Sequence, residues 1–194
     1  MRKQVVLGMM ALLAGSTLYA TSAQAQGEGP GAEFSLGGGI TLPSGDFDDV
    51  AKLGWHGLVG VSFVPQSFPV GIQVDGSFSR LNADEDAVGG LDLKHQLIYG
   101  TGNVVYKFKT SEDSKFRPYL IGGVGVYNYD VKGDDADLFT DGSTTKFGLN
   151  AGAGFDIKAQ SVGFFVEGRF HDVFTDGPNL KFIPITVGIR LGGS

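Results

Sequence analysis

Polar and apolar side chains alternate along most of this chain. In residues 162–174, Val166 and Phe170 fall on one face of an extended strand, while Glu167 and Arg169 fall on the other. One face is therefore apolar and the other is charged. In a soluble β-sandwich the apolar face would be the core and the charged face would meet water. Long apolar faces that recur through a whole chain also suit contact with lipid.

Eight stretches with this alternation are separated by breaks rich in glycine, proline and aspartate, which predicts eight strands. The connections between the strands are alternately short and long, as in membrane barrels with tight turns on one side and longer loops on the other. We therefore predict an all-β fold, an eight-stranded antiparallel up-and-down transmembrane β-barrel. The predicted strands cover residues 33–42, 55–64, 69–81, 95–108, 116–130, 147–158, 162–174 and 181–191.

The first 25 residues have the features of a secretory signal peptide. Arg2 and Lys3 precede the apolar run 5–14, and Ala23-Gln24-Ala25 provides small residues for cleavage. The apolar run is shorter than the roughly 20 residues that a membrane-spanning helix needs. We predict a signal peptide at residues 1–25 and a barrel domain at residues 26–194.

Composition agrees with an exported β protein that has no disulfide bonds. The chain has no cysteine, so its sheet, its buried surface or surrounding lipid must hold it together. Its formal charge is −6, and loss of Arg2 and Lys3 with the signal peptide leaves 13 basic against 21 acidic side chains, or −8. Such a surface argues against nucleic acid as a partner and against simple electrostatic binding to anionic headgroups.

The acidic side chains concentrate in the long connections, whereas lysines and arginines gather near the short turn around residues 107–117. A chain that crosses a membrane back and forth would place all of these acidic loops on one side. A soluble sandwich has no comparable reason to separate them. The acidic loop residues are Asp46, Asp48, Asp49, Asp84, Glu85, Asp86, Asp92, Asp134, Asp135, Asp137, Asp141, Asp172 and Asp176.

If the apolar faces meet lipid, the polar faces line the interior of the barrel. Eight strands enclose only enough space for their own side chains, so we predict a packed polar network and no open channel. Arg169 and Arg190 are expected to pair with Glu167, Asp75 or Asp156, because buried carboxylates and guanidinium groups satisfy one another. The predicted interior network comprises Gln73, Asp75, Asn150, Asp156, Lys158, Glu167, Arg169 and Arg190, with His171 near the rim.

Several short motifs follow one another along almost the whole predicted barrel domain. They are Pro43-Ser44-Gly45-Asp46-Phe47, Asn103-Val104-Val105-Tyr106-Lys107-Phe108, Arg117-Pro118-Tyr119-Leu120, Gly152-Ala153-Gly154-Phe155-Asp156 and Pro184-Ile185-Thr186-Val187-Gly188-Ile189-Arg190. In this order and spacing they resemble the outer-membrane β-barrel family of OmpA/OmpX-like small barrels. The last residues, Leu191-Gly192-Gly193-Ser194, depart from the aromatic ending that is usual in that family.

The resemblance implies an outer-membrane protein of a Gram-negative-type bacterium with both termini in the periplasm. It implies outer-membrane lipid and lipopolysaccharide as surroundings, and the barrel-assembly machinery as a partner during biogenesis. We expect a structural or surface-interaction role, either in envelope integrity or in adhesion to a surface ligand through the acidic loops. We expect neither enzymatic activity nor a cofactor.

Two other functions stay open at the level of sequence. His171-Asp172 could be a base with its orienting carboxylate, as in small outer-membrane enzymes that modify lipid A, although Val173 stands where such enzymes carry a serine. A soluble lipocalin-like barrel would instead hold an apolar ligand inside, and Gly54-Trp55 only loosely resembles its early signature. No histidine in the chain has a metal-ligand spacing such as His-Glu-x-x-His.

Aromatic residues near the predicted strand ends suggest a girdle at the membrane interface, where amphipathic rings are favoured. Trp55, Tyr127, Tyr129 and Phe139 are the candidates.

Overall fold

The computed structural model describes residues 31–65, 68–83, 93–111, 114–133, 144–159 and 162–192. The predicted signal peptide, the acidic loops at 84–92 and 134–143, and the last two residues lie outside these ranges. Within them, no helix is long and apolar enough to cross a bilayer. A one-turn 3-10 helix occupies Gly45–Phe47. The strands are β1 (Ala32–Ser44), β2 (Ala51–Phe63), β3 (Val70–Ala83), β4 (Leu93–Lys107), β5 (Phe116–Gly133), β6 (Thr144–Ala159), β7 (Val162–Val173) and β8 (Leu180–Gly192).

The strands form one closed antiparallel barrel, which confirms the predicted fold class. Each strand pairs with its neighbours in sequence, and β1 closes the barrel against β8 with Phe34 opposite Leu191 and Ile40 opposite Ile185. Closure leaves no sheet edge with unpaired backbone groups, which is a requirement for a sheet that lies in lipid. β1 begins and β8 ends at the same end of the barrel.

The connections at one end of the barrel are on average shorter than those at the other end. We call the end that carries the connections at 64–69 and 108–115 the short-turn end. The opposite end carries the connections at 45–50, 84–92, 134–143 and 174–179, and we call it the long-connection end. Asp46, Asp48 and Asp49 lie there, and Asp176 lies there as well.

The outer wall of the barrel is apolar. Side chains that alternate outward remain exposed to the surroundings, for example Val59 at 52%, Val124 at 62% and Val187 at 58%. On β6 the outward apolar positions run from Phe147 to Ile157, which is about 33 Å along a strand at about 3.3 Å per residue. A strand tilt of about 40° turns that length into a band roughly 25 Å tall, the height that a membrane barrel presents to lipid.

The inner wall alternates with the outer wall and carries the polar positions. On β7, Phe165, Glu167, Arg169 and His171 are all buried. On β4 the inward face carries Leu97 and Tyr99 towards one end but Thr101 and Asn103 further along. The barrel interior therefore changes from polar to aromatic along its axis.

Glycine makes room for the large interior side chains. A Cβ atom at Gly154 would collide with the ring and hydroxyl of Tyr119, and a Cβ atom at Gly60 would collide with the carboxylate of Asp75. An interior of this size is filled by side chains, so each large inward group needs a neighbouring strand position that carries no side chain, which glycine provides.

Candidate functional site

The predicted interior residues meet in the barrel, and Arg169 lies at their centre. Its Nη1 lies 2.8 Å from Oδ2 of Asp75, and its Nη2 lies 2.6 Å from Oε1 of Glu167. Its Nε also donates to the same Glu167 oxygen at 2.7 Å. All three side chains are buried. Arg169 thus pairs with two of the three carboxylates that the sequence suggested for it.

Amide side chains supply further donors to Asp75. Gln73 Nε2 donates to Asp75 Oδ1 at 2.9 Å, and Asn103 Nδ2 donates to Asp75 Oδ2 at 3.0 Å. Asn150 extends the chain of amides, because its Nδ2 donates to Asn103 Oδ1 at 2.9 Å. Gln73 and Asn150 were predicted to belong to the interior network, whereas Asn103 was not.

A second ionic group lies nearer the short-turn end. Lys107 Nζ lies 2.8 Å from Glu33 Oε2 and 3.1 Å from Asp156 Oδ2. Arg190 Nε lies 3.1 Å from Asp156 Oδ1, which is an ion-pair distance although the geometry is not that of a hydrogen bond. The ion pair of Lys107 with Asp156 links β4 to β6, and the ion pair of Lys107 with Glu33 links β4 to β1.

Tyr119 joins the two ionic groups. Arg190 Nη2 donates to the Tyr119 hydroxyl at 3.1 Å, and that hydroxyl donates to Glu167 Oε2 at 2.9 Å. The guanidinium of Arg190 also lies 5.0 Å from the centre of the Tyr119 ring and 4.9 Å from that of Phe165, within cation–π range. We call the connected set of Glu33, Asp75, Lys107, Tyr119, Asp156, Glu167, Arg169 and Arg190 the charged network.

Charge within the charged network is nearly balanced. Its four carboxylates face three cations, so one negative charge is in excess, and the amide donors around Asp75 lie where they stabilise it. Removing one partner of such a buried set leaves a charge without compensation, which typically costs about 3–5 kcal/mol, a large fraction of the roughly 5–15 kcal/mol by which a folded domain is stable.

Nearer the long-connection end the interior becomes aromatic. The His171 ring stacks on Phe182 with centroids 4.7 Å apart, and Tyr99 stacks on Tyr127 at 5.2 Å. Tyr127 Oη and His171 Nδ1 are hydrogen-bonded at 2.9 Å. We call Tyr99, Tyr127, His171 and Phe182 the aromatic cluster.

His56 is a further buried group that the sequence did not single out. Its Nε2 is hydrogen-bonded to Thr186 Oγ1 at 2.9 Å and its Nδ1 to Thr41 Oγ1 at 3.1 Å. These hydrogen bonds link β2 to β1 and β8, so the His56 ring fills the interior beside these three strands.

A family model described as the outer membrane protein beta-barrel domain matches residues 11–190 of this chain. The chain belongs to that family. Its membership agrees with the apolar outer wall and the charged interior, which are the reverse of a soluble lipocalin-like barrel. The interpretation as a lipocalin-like barrel is therefore wrong.

Solved outer-membrane barrels share the fold. Neisserial surface protein A matches with a TM-score of 0.60 and 15% identity, covering 84% of this chain and 96% of that one. Ail of Yersinia pestis, the attachment invasion locus protein, in complex with the heparin analogue sucrose octasulfate, matches at 0.53 and 13% identity, covering 84% and 99%. OprG of Pseudomonas aeruginosa matches at 0.52 and 15% identity, covering 87% and 98%. No curated protein matches the chain in sequence.

Three expectations about individual residues of this outer-membrane barrel need correction. Lys158 was expected in the interior network but is exposed, because it lies near the end of β6 beyond the packed interior. His171 was expected near the rim, yet it is 1% exposed inside the aromatic cluster. Tyr127 and Tyr129 were expected in an interface girdle, but Tyr127 is buried in the interior and Tyr129 packs against the interior core.

The other girdle candidates have different outcomes. Trp55 is exposed on the outer wall and lies against Phe78, as a girdle residue would. Phe139 lies outside the described residues.

The structure separates the two residues on which the enzyme hypothesis rests. His171 and Asp172 are neighbours on β7, so their side chains point to opposite faces, and the His171 ring contacts Tyr127 and Phe182 instead. Among the described residues no group of three histidine, cysteine, aspartate or glutamate side chains could hold a metal ion.

Sequence reasoning missed Glu33, Lys107 and Tyr119. Lys107 was counted with the basic residues of a turn, although it has the same parity along β4 as buried Asn103 and Val105. That parity was the available signal. Glu33 and Tyr119 carried the same signal, since Glu33 shares the parity of buried Ser35 and Tyr119 that of buried Ile121. Their partners could not be predicted, because these depend on which strands face each other.

Proposed function

We propose that this outer-membrane barrel is a closed, non-enzymatic protein that supports the envelope and presents its acidic long connections for adhesion or surface contact. The observation that carries the proposal is the charged network, to which every strand except β2 contributes and in which each charged side chain has a partner of opposite charge. A channel would need such groups to line open water. Here they bind one another.

The aromatic cluster also supports a closed interior, at a position nearer the long-connection end than the charged network. Tyr99 and Tyr127 on one side approach His171 and Phe182 on the other, and the rings contact one another in stacked and edge-on pairs. A solute would have to displace both this layer and the charged network. Because the interior of an eight-stranded barrel is only wide enough for its side chains, the charged network has no space to move aside.

Conductance tests the closed interior. The purified protein, inserted in a planar lipid bilayer, is expected to give no stable openings in 1 M KCl at 100 mV, while a large porin in the same bilayer serves as the control for insertion and detection. Stable single-channel steps that depend on the amount of folded protein would overturn the closed barrel.

Lipid A analysis tests the absence of enzymatic activity. Cells that express the barrel are expected to give the same lipid A mass spectrum as cells with an empty vector. Loss or gain of an acyl chain, abolished by His171→Ala, would instead support the lipid-modifying enzyme.

The charge of the acidic loops indicates what kind of partner an adhesive surface of this barrel would bind. Ail was solved with the heparin analogue sucrose octasulfate, but the charged residues in the long connections of this chain are mainly aspartates, so we propose a cationic partner surface. Cells that display the barrel are expected to bind polylysine-coated beads better than heparin-coated beads. Neutralising Asp84, Glu85 and Asp86 together should reduce the difference, and a preference for heparin would contradict the proposal.

A further inference from the structure

A cavity opens at the long-connection end, above the aromatic cluster. Its volume is about 460 Å³, within the range of roughly 300–1,000 Å³ that is typical of small-molecule sites. Its lining is mostly apolar and includes Phe47, Leu97, Tyr127, Tyr129, Val173 and Leu180. Mouths of β-barrels are frequent places for such sites.

Hydrogen bonds hold the aromatic walls of the cavity in place. The Tyr127 hydroxyl is bonded to His171, and the Tyr129 hydroxyl is bonded to Nδ1 of His95. The other ring nitrogen of His95 lies 3.1 Å from the carbonyl oxygen of Val50, in the connection that follows Phe47. Because these polar atoms already have partners, the walls offer a ligand mainly ring and aliphatic surface, in a fixed arrangement.

The charged side chains of the cavity lie at its rim and have an excess of negative charge. Lys146 on β6 forms an ion pair with Asp176 in the connection between β7 and β8. Asp46, in the 3-10 turn, also lines the cavity and forms no ion pair with any described side chain. Asp48 and Asp49 follow it in the same exposed connection. The charges of Lys146 and Asp176 cancel, so the carboxylate of Asp46 makes the net charge of the rim negative.

We propose that this cavity binds a small organic cation with an aromatic or similarly sized apolar body. The body would lie on the accessible apolar lining, against Tyr129 and Val50, and its ammonium group would lie at the rim beside Asp46. The aromatic cluster closes the floor, so the ligand is held at the mouth and does not pass through. This site adds a ligand to the proposed function and does not depend on the adhesive role.

Three probes of similar size separate charge from apolar fit. Protein labelled for NMR and embedded in lipid nanodiscs is titrated with 2-phenylethylammonium, phenylacetate and benzyl alcohol. We expect saturable shifts of the Tyr127, Tyr129 and Lys146 amide signals with the cation, at an affinity at least fivefold higher than with benzyl alcohol, and none with phenylacetate. Equal, non-saturating shifts with all three would indicate partition into lipid and overturn the site.

Two pairs of variants test the assignment of residues. Asp46→Asn is expected to weaken binding of the cation at least threefold and to leave benzyl alcohol unchanged, whereas Asp48→Asn, outside the cavity lining, should change neither. Thr144→Trp places a large ring in the cavity and should abolish binding of both probes. Thr145→Trp places the same ring on the opposite face of β6 and should leave binding intact.

A mobility shift on boiling, followed by gel electrophoresis, shows whether each variant is folded. Unchanged binding in folded Thr144→Trp would overturn the proposal. So would an equal effect of Asp46→Asn and Asp48→Asn, since the cation would then respond only to the general charge of the surface.

Discussion

Arg169 on β7 and Asp75 on β3 form an ion pair across the barrel interior, with Nη1 2.8 Å from Oδ2. β3 and β7 lie four strands apart in a closed sheet of eight, so the pair joins opposite walls. No pairing between neighbouring strands can do this. The ion pair therefore links opposite walls of the barrel and fills the interior between them.

Replacing Arg169 by alanine should destabilise the barrel strongly. Asp75 and Glu167 would both lose their cation, and an uncompensated buried charge costs about 3 kcal/mol or more. The free energy of unfolding, measured by urea titration of the protein in detergent micelles, should fall by about this amount.

Arg80→Ala is the control, because Arg80 is exposed on the outer wall of β3 and its removal should change stability by less than about 1 kcal/mol. A double variant, Arg169→Ala with Asp75→Ala, should lose less stability than the sum of the two single variants. Additive losses, or an unchanged midpoint for Arg169→Ala, would show that the pair is not coupled as the geometry indicates.

The hydroxyl of Tyr119 connects the two ionic groups and can be removed alone. Tyr119→Phe removes the acceptor of Arg190 Nη2 and the donor to Glu167 Oε2, and hydrogen bonds to charged groups contribute about 1.5–3 kcal/mol. We expect a loss of that size in the same urea titration. Tyr106→Phe is a matched control, since Tyr106 is 41% exposed on the outer wall and its hydroxyl has no partner among the described residues. Equal effects of the two changes would contradict the connecting role of Tyr119.

Charge on the outer wall should be tolerated only near the edges of the apolar band. Val187 lies midway between Ile183 and Leu191 on the outward face of β8 and is 58% exposed. Val187→Arg should reduce stability in lipid vesicles by about 2–4 kcal/mol, whereas Leu191→Arg, near the short-turn end, should cost about 1 kcal/mol or less. Reversible folding into vesicles, followed by tryptophan fluorescence, measures both. Equal costs would show that the wall has no depth-dependent contact with hydrocarbon.

The alternation of side chains made much of the interior predictable. Glu167 and Arg169 are two residues apart on one strand, so both side chains point to the same wall of the barrel. Their burial followed from the sequence once lipid was taken as the medium outside the barrel. The same reasoning placed Gln73, Asp75, Asn150, Asp156 and Arg190. It placed Lys158 wrongly, because parity shows the face of a strand and not the depth at which the packed interior ends.

Tyr127 shows where sequence reasoning reached its limit. An aromatic residue near a strand end is as compatible with an interface girdle as with a buried cluster, and the parity of β5 was hard to read through its glycines. Its neighbours in the aromatic cluster come from β4, β7 and β8, at sequence distances over which no local pattern carries information. The cavity at the long-connection end could not be predicted for the same reason.

The sequence by itself determined that the chain forms strands and which side chains share a face of each strand, because the period of two acts locally. Once lipid is taken as the outer medium, the same pattern requires the charged groups to be buried together. The tertiary structure decided which charges pair, since closure brings β3 opposite β7 and places Lys107 between Glu33 and Asp156. It also decided that one end of the interior is aromatic and carries a cavity. Partners across a closed barrel are fixed by strand register and diameter, and these are properties of the whole sheet.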